Sequence, residues 1–198
     1  MTHKQRANAE DPRIKRTHQL ILEAMIELTA QKGFSTVTVR DITKYAGINR
    51  ATFYRHYQDK FDLLDQYARA VYQLAVAPTE AGSQKSIKSM DKPIAPGMVK
   101  LFEHIRANAR FFRVMLGKNG DPAFSEKIRQ YMQKRLQGSL PKGLRNEAVS
   151  LDLYMSYISS GALGALKWWL ENDMPYSPEE MAAISDQLTV TNINVMFG

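Results

Sequence analysis

Cysteine is absent from the chain, so no thiolate nucleophile is available, and its absence is compatible with a reducing compartment. Histidine is scarce: His3, His18, His56 and His104 are scattered, with no pair one helix turn apart as a metal-binding helix requires. No glycine-rich phosphate loop follows a strand, and no stretch shows the alternation of a convincing strand. A run of eighteen apolar residues is lacking, which argues against a membrane span. The first residues, MTHKQRANAEDPR, carry no apolar secretory segment, so a cytoplasmic protein is expected. These absences leave an enzyme without candidate catalytic residues, and no cofactor or metal is expected.

What is present is helical periodicity and an uneven positive charge. The 198 residues are enough for one domain or two with a proper core. The net charge is +7, and residues 1–60 hold 11 Lys and Arg against 6 Asp and Glu. A basic segment on a nearly neutral body is the electrostatic footprint of a duplex binder.

The basic segment contains TVRDITKYAGINRATFYRHYQDK, from Thr38 to Lys60. Thr38 starts a helix, with Asp41 placed to complete a capping box. Val39, Ile42 and Ala46 share one face, and Gly47 permits a left-handed reversal. Asn49 then caps a second helix, in which Phe53 and Tyr57 point inward while Asn49, Arg50, Thr52 and His56 point outward. Ala51 suits close helix contact. A short helix with a polar outer face is the recognition element of a helix-turn-helix. Arg50, near its start, is the best candidate for a bidentate contact to guanine. Tyr54, His56 and Lys60 are placed to bond phosphates.

These residues, above all Thr38-Val39-Arg40-Asp41-Ile42, Ala46-Gly47-Ile48 and Thr52-Phe53-Tyr54-Arg55-His56-Tyr57 with Asp59-Lys60, closely resemble the DNA-binding domain of the TetR family of bacterial transcriptional regulators. The resemblance implies phosphate contacts by Tyr54 and His56, a backbone contact by Lys60, and base or backbone contacts from Arg40, Arg50 and Thr52. Thr38 and Asn49 complete the candidate DNA-contact set. Tyr57 departs from the pattern, which usually has Phe; its hydroxyl needs a partner but should not abolish DNA binding.

Around this motif the chain reads as helices. Residues 1–12 form a flexible polar arm, and Asp11-Pro12 starts a supporting helix with Ile14, His18, Ile21, Met25 and Leu28 on one stripe, ending near Gly33. His18 is expected as a packed, hydrogen-bonded core residue. Asp59 caps a connecting helix bearing Phe61, Leu64, Tyr67, Val71 and Leu74, and residues 78–95 read as a mobile loop. Helices follow from Pro96, around Phe111 to Leu116, and from Pro122 to about Gly138, the last carrying Phe124, Ile128, Tyr131, Met132 and Arg135. The longest is expected from Asn146 to Glu171, and the last opens at the Ser177-Pro178-Glu179-Glu180 box.

Phe102, Ile105, Phe112, Met115, Tyr131 and Tyr154 are the candidate lining of an effector pocket, because Met and aromatic side chains adapt to irregular apolar ligands. Leu151, Met155, Ile158, Ala162, Ala165 and Trp169, with Met181, Ile184 and Leu188, make apolar faces that suggest a second copy. Gly161 and Gly164 within that helix suggest close backbone approach. The order of Phe111-Phe112, Gly117, Phe124, the small residues from Gly161 to Ala165 and Trp169-Leu170 resembles the C-terminal domain of a TetR subgroup common in Firmicutes.

The reading is an all-α protein: a helix-turn-helix DNA-binding module over 13–60, then a larger helical regulatory and dimerisation domain over 61–198. The resemblance implies a homodimeric repressor of a palindromic operator, released by a small apolar effector. A regulator switched by a partner protein, an activator and an architectural DNA binder of the same fold stay open.

Overall fold

A computed structural model of the chain describes residues 12–76, 88–89, 92–93, 96–139 and 149–197. Residues 1–11 of the arm expected over 1–12 and most of the loop expected over 78–95 lie outside them, while Pro12 belongs to the first helix. Helix α1 (Pro12–Lys32) begins on Pro12, where the missing amide costs no helical bond. Gly33, at φ 79°, breaks it and leads into a 3₁₀ turn over Phe34–Thr36. Helix α2 (Val39–Tyr45) has the expected capping box between Thr38 and Asp41. Gly47, at φ 65°, takes the left-handed turn. Helix α3 (Arg50–His56) is capped by Asn49, whose side chain accepts from the Thr52 amide.

Helix α4 (Lys60–Val76) starts at Asp59, whose carboxylate accepts from the amides of Phe61 and Asp62 at 2.8 Å each. Its buried residues differ from the expected stripe. Phe61 is 54% exposed, whereas Leu63 and Ala68 are buried with Leu64 and Val71. The reason is that α4 is packed on several sides, so one stripe does not describe it.

Within 78–95 lies an antiparallel ribbon, β1 (Lys88–Ser89) and β2 (Lys92–Pro93), which the sequence reading did not foresee. Strands of two residues are too short to show alternation, and the fold class stays all-α. Helices α5 (Pro96–Ala107), α6 (Ala109–Leu116), α7 (Pro122–Ser139), α8 (Leu151–Glu171) and α9 (Pro178–Phe197) complete the fold. α8 starts later than Asn146 because the Ser150 hydroxyl caps it, accepting from the Leu153 amide at 3.3 Å. α9 opens on the Ser177–Glu180 capping box, with both reciprocal bonds made.

One buried core runs from Ile21 and Phe53 through Leu64 to Phe111, Phe112, Trp169 and Met181. Packing is therefore continuous from the helix-turn-helix into the C-terminal helices. The turn between α6 and α7 also reaches back. Asn119 accepts from the Phe34 amide at 2.9 Å through its carbonyl, and its side chain donates to the Ala30 carbonyl at 3.3 Å. Close by, Arg110 of α6 pairs with Glu27 of α1. Among the described residues no helix is long and apolar enough to cross a membrane.

Candidate functional site

Two caps and one glycine place α3 on the surface of the N-terminal module. Phe53 and Tyr57 are buried at 0% and 6% exposure and anchor its inner side. Arg50, Tyr54 and Arg55 stand exposed on the other side, with Asn49 at the helix start. Thr52 and His56 are half-buried. Ala51, expected at a close helix contact, is exposed, and the buried side of α3 is carried by Phe53 and Tyr57. Arg50 donates to the Tyr54 hydroxyl at 3.4 Å, and its guanidinium lies 5.9 Å from the ring centre. Arg40 is exposed on α2, and Lys44, one turn later, extends the same basic edge. The sequence reading missed Lys44, although an i, i+4 pair of cations was its signal.

The hydroxyls of Thr38 and Thr52 are partly committed. Thr38 accepts from the Asp41 amide at 3.2 Å and donates to its carboxylate at 2.7 Å. Thr52 donates to the Asn49 side chain at 2.9 Å. Lys32, 2.8 Å from Asp41, and the Thr38 bonds hold that carboxyl well below the usual carboxylate range.

Lys60 stands differently from the phosphate contact expected of it. Its ammonium donates to the carbonyls of Phe34 at 2.7 Å, Ser35 at 3.1 Å and Val37 at 2.8 Å. It also lies 4.4 Å from the centre of the Phe34 ring. All three N–H donors close the carbonyl end of the 3₁₀ turn, so Lys60 braces the module from inside. Burial pushes its pKa down. The extra hydroxyl of Tyr57 has found its partner, a hydrogen bond with Nδ1 of His18. His56 packs beside that pair, its ring centre 4.7 Å from that of His18.

A cavity of about 190 Å³ opens between α4, α5, α6, α7, α8 and α9. Phe102, Ile105, Phe112 and Tyr131 line it, together with Tyr72, Arg135 and Asp186, which the sequence reading did not assign to it. Two expected lining residues stand elsewhere. Met115 is fully buried in the main core, and Tyr154 packs in a smaller cluster with Leu136, Met155 and Ile158. Both lie on apolar stripes, and periodicity alone does not separate a filled core from a hollow one.

The dimer face expected from the sequence needs a correction. Met155, Ile158, Trp169 and Met181 are 0–8% exposed within the single chain, spent on its own core. Leu151, Ala162, Ala165 and Ile184 are half-buried. Of the expected residues Leu188 on α9 is exposed (56%), and the outward face of α8 carries Leu153 (63% exposed), Tyr157 (73%) and Trp168 (48%) in place of the buried ones. Gly161 and Gly164 fall on that same outward stripe, where an added Cβ would meet no atom of this chain within 4 Å. α8 is apolar on both sides, and the sequence stripe picked the inner one.

Sequence comparison agrees with this arrangement. The family described as "Bacterial regulatory proteins, tetR family" matches residues 21–67, and that described as "Transcriptional regulator C-terminal region" matches residues 93–190. The uncharacterised HTH-type transcriptional regulator YxbF of Bacillus subtilis is 26% identical over 178 residues, which are 87% of this chain and 44% of that protein. A regulator of Haemophilus influenzae is 30% identical over 103 residues, 52% of this chain and 49% of its own. The chain thus spans somewhat under half the length of these curated relatives. Among solved structures, a TetR transcriptional regulator from Streptococcus agalactiae 2603V superposes with a TM-score of 0.58 at 22% identity, covering 90% of this chain and 96% of the other. The dihydroxyacetone kinase operon activator DhaS gives 0.56 at 16% identity, over 92% and 98%. These two likenesses bear on the fold. With a helix-turn-helix built as described and both halves matched, the chain belongs to the TetR family of DNA-binding bacterial transcriptional regulators.

Proposed function

We propose that the chain acts as a homodimeric repressor that occupies a palindromic operator and leaves it when a small effector fills the C-terminal cavity. The observation that carries this reading is α4. The helix begins against the DNA-reading module, with Lys60 donating to the carbonyls of Phe34, Ser35 and Val37 and Gln66 donating to the His56 carbonyl, and Ala68, Val71 and Tyr72 further along it form cavity wall. A ligand that moves the wall moves the helix that carries the module, and it acts only through a differential affinity for the two arrangements. A hollow chamber favours a small effector over a partner protein as the switch. On this reading residues 13–60 read DNA, with base contacts from Arg50 and Arg40 and phosphate contacts from Tyr54 and His56, and residues 61–198 regulate and dimerise.

The second copy packs on the stripe of Leu153, Tyr157, Gly161, Gly164 and Trp168, with Leu188 beside it. The two glycines let backbones approach, and the exposed aromatics supply the apolar area that a stable interface needs. Two modules on a two-fold axis contact half-sites about 34 Å apart, or a multiple of that.

The test is selection of bound duplexes from a random pool at two salt concentrations, with sedimentation of the protein alone. A palindrome retained at the higher salt, together with a dimer, is the expected result. Unrelated sequences that are all lost at higher salt would replace operator occupancy with non-specific electrostatic binding.

A further inference from the structure

The cavity is chemically lopsided. Phe102 and Phe112 enter it from the buried aromatic core, where Phe102 meets Trp169 edge-on at 5.5 Å and Phe112 meets Phe111 at 5.3 Å. Ile105 and Ile128 add hydrocarbon. The half-buried side of the wall is polar: Arg135 of α7 lies within the field of Asp186 on α9 and of Tyr72, and Tyr72 stacks on Tyr131 at 4.8 Å.

We propose that this cavity takes an amphipathic carboxylate with a chain of medium length, its hydrocarbon among Phe102, Ile105 and Phe112 and its carboxylate on the Arg135 guanidinium. This names the chemical class for the effector site proposed above and rests on that reading. The size argument is comparative: a dry engineered cavity of roughly 150 Å³ takes up benzene, so about 190 Å³ suits an apolar group of about eight carbons. The charge argument is local. Burial disfavours the charged form of Arg135, while the negative charge of Asp186 favours it. A guanidinium has five donors in a planar fork, so it can serve Asp186 and a bidentate carboxylate together. An ammonium ligand would have Asp186 alone as its counter-charge and would have to share it with Arg135. A neutral head group would give up the charge-assisted bonds.

Titration calorimetry of the full chain with octanoate, 1-octanol and octylamine tests the assignment. Octanoate is expected to bind about tenfold or more tightly than either of the others, the difference a charge-assisted pair makes. Arg135→Gln should bring octanoate down to the level of 1-octanol and leave 1-octanol unchanged. Arg135→Lys, which keeps the cation but loses the fork, should fall between and shows that the site still folds. Equal binding of octanoate and 1-octanol, preference for octylamine, or an Arg135→Gln variant that binds octanoate like wild type would each overturn the proposal. If none of the three binds while the chain still selects a palindrome, the ligand class is wrong and operator binding stands. If octanoate binds without changing operator affinity, the carboxylate site stands and its role as the releasing effector falls.

Discussion

At position 50 a guanidinium rests against the Tyr54 ring and hydroxyl, so two side chains assigned different roles on DNA touch each other before any DNA arrives. Arg50→Ala should flatten sequence preference by about 1–3 kcal/mol at one base step while leaving weak, salt-sensitive binding. Wild-type discrimination in a duplex competition would remove Arg50 from base reading. Because the pair is in contact, Tyr54→Phe acts partly through Arg50, and the two effects should not add. The Tyr57 hydroxyl offers a separate measure. Tyr57→Phe, the residue usual in the family, should cost about 0.5–1.5 kcal/mol, a fall of roughly 2–4 °C in Tm per kcal/mol, and keep duplex binding. An unchanged melting curve would mean that the bond to His18 adds nothing. Asp41 makes acid informative. Its folded pKa lies below the unfolded value, so the stabilisation is complete above the ordinary carboxylate range and is lost as pH falls below about 4. Asp41→Asn should therefore melt below wild type at pH 6, and the gap should only begin to narrow at pH 3, where the unfolded carboxyl is protonated but the folded one is still ionised, and shrink further at lower pH; a gap that stays constant from pH 6 to pH 2 would contradict the shift. Each of these residues was visible in the sequence, and what they touch was only partly so. The Thr38–Asp41 box was legible because both partners lie within one turn. The target of Lys60 was not, because its acceptors are backbone carbonyls 23 to 26 positions away, which have no side-chain signature.

Among the elements, those with chemical punctuation were the easiest to read. Pro12, Pro96, Pro122 and Pro178 each open a helix, and Gly33, Gly47 and Gly117 each end one within a residue or two. The 3₁₀ turn at Phe34 and the ribbon at 88–93 were missed, since neither is long enough to establish a period. The two-sided apolar character of α8 defeated the assignment of its faces: a stripe at three-and-four spacing exists on both sides, and only packing shows which one the chain keeps for itself. Gly164→Ala probes the other side. A Cβ there meets open space in the single chain and should improve helix propensity by about 1 kcal/mol. Against a second copy packed on the same stripe it should shift the equilibrium toward monomer. Sedimentation at several concentrations reads the second effect, and unaltered self-association would move the interface away from Gly164.

For the whole molecule, reciprocity is the strictest expectation. An effector that lowers operator affinity by a given factor must bind the operator complex more weakly by the same factor, whatever path connects the two sites. Titrating octanoate into the free chain and into the chain saturated with its selected duplex measures this directly. Equal affinities would leave the cavity uncoupled from DNA. The structure also restricts how coupling can be expressed as motion. The reading module is joined to the C-terminal helices covalently through α4, and along a second seam where Glu27, Ala30 and Phe34 meet Arg110 and Asn119. A rigid body pinned at two separated places keeps one easy freedom, a swing about the line that joins them. Sliding and tilting across that line would break the seam or bend the helix. In the two-fold assembly proposed above, the same swing in each copy would bring the two recognition helices together or apart as a pair of calipers does, the single coordinate on which a ligand in the cavity would act.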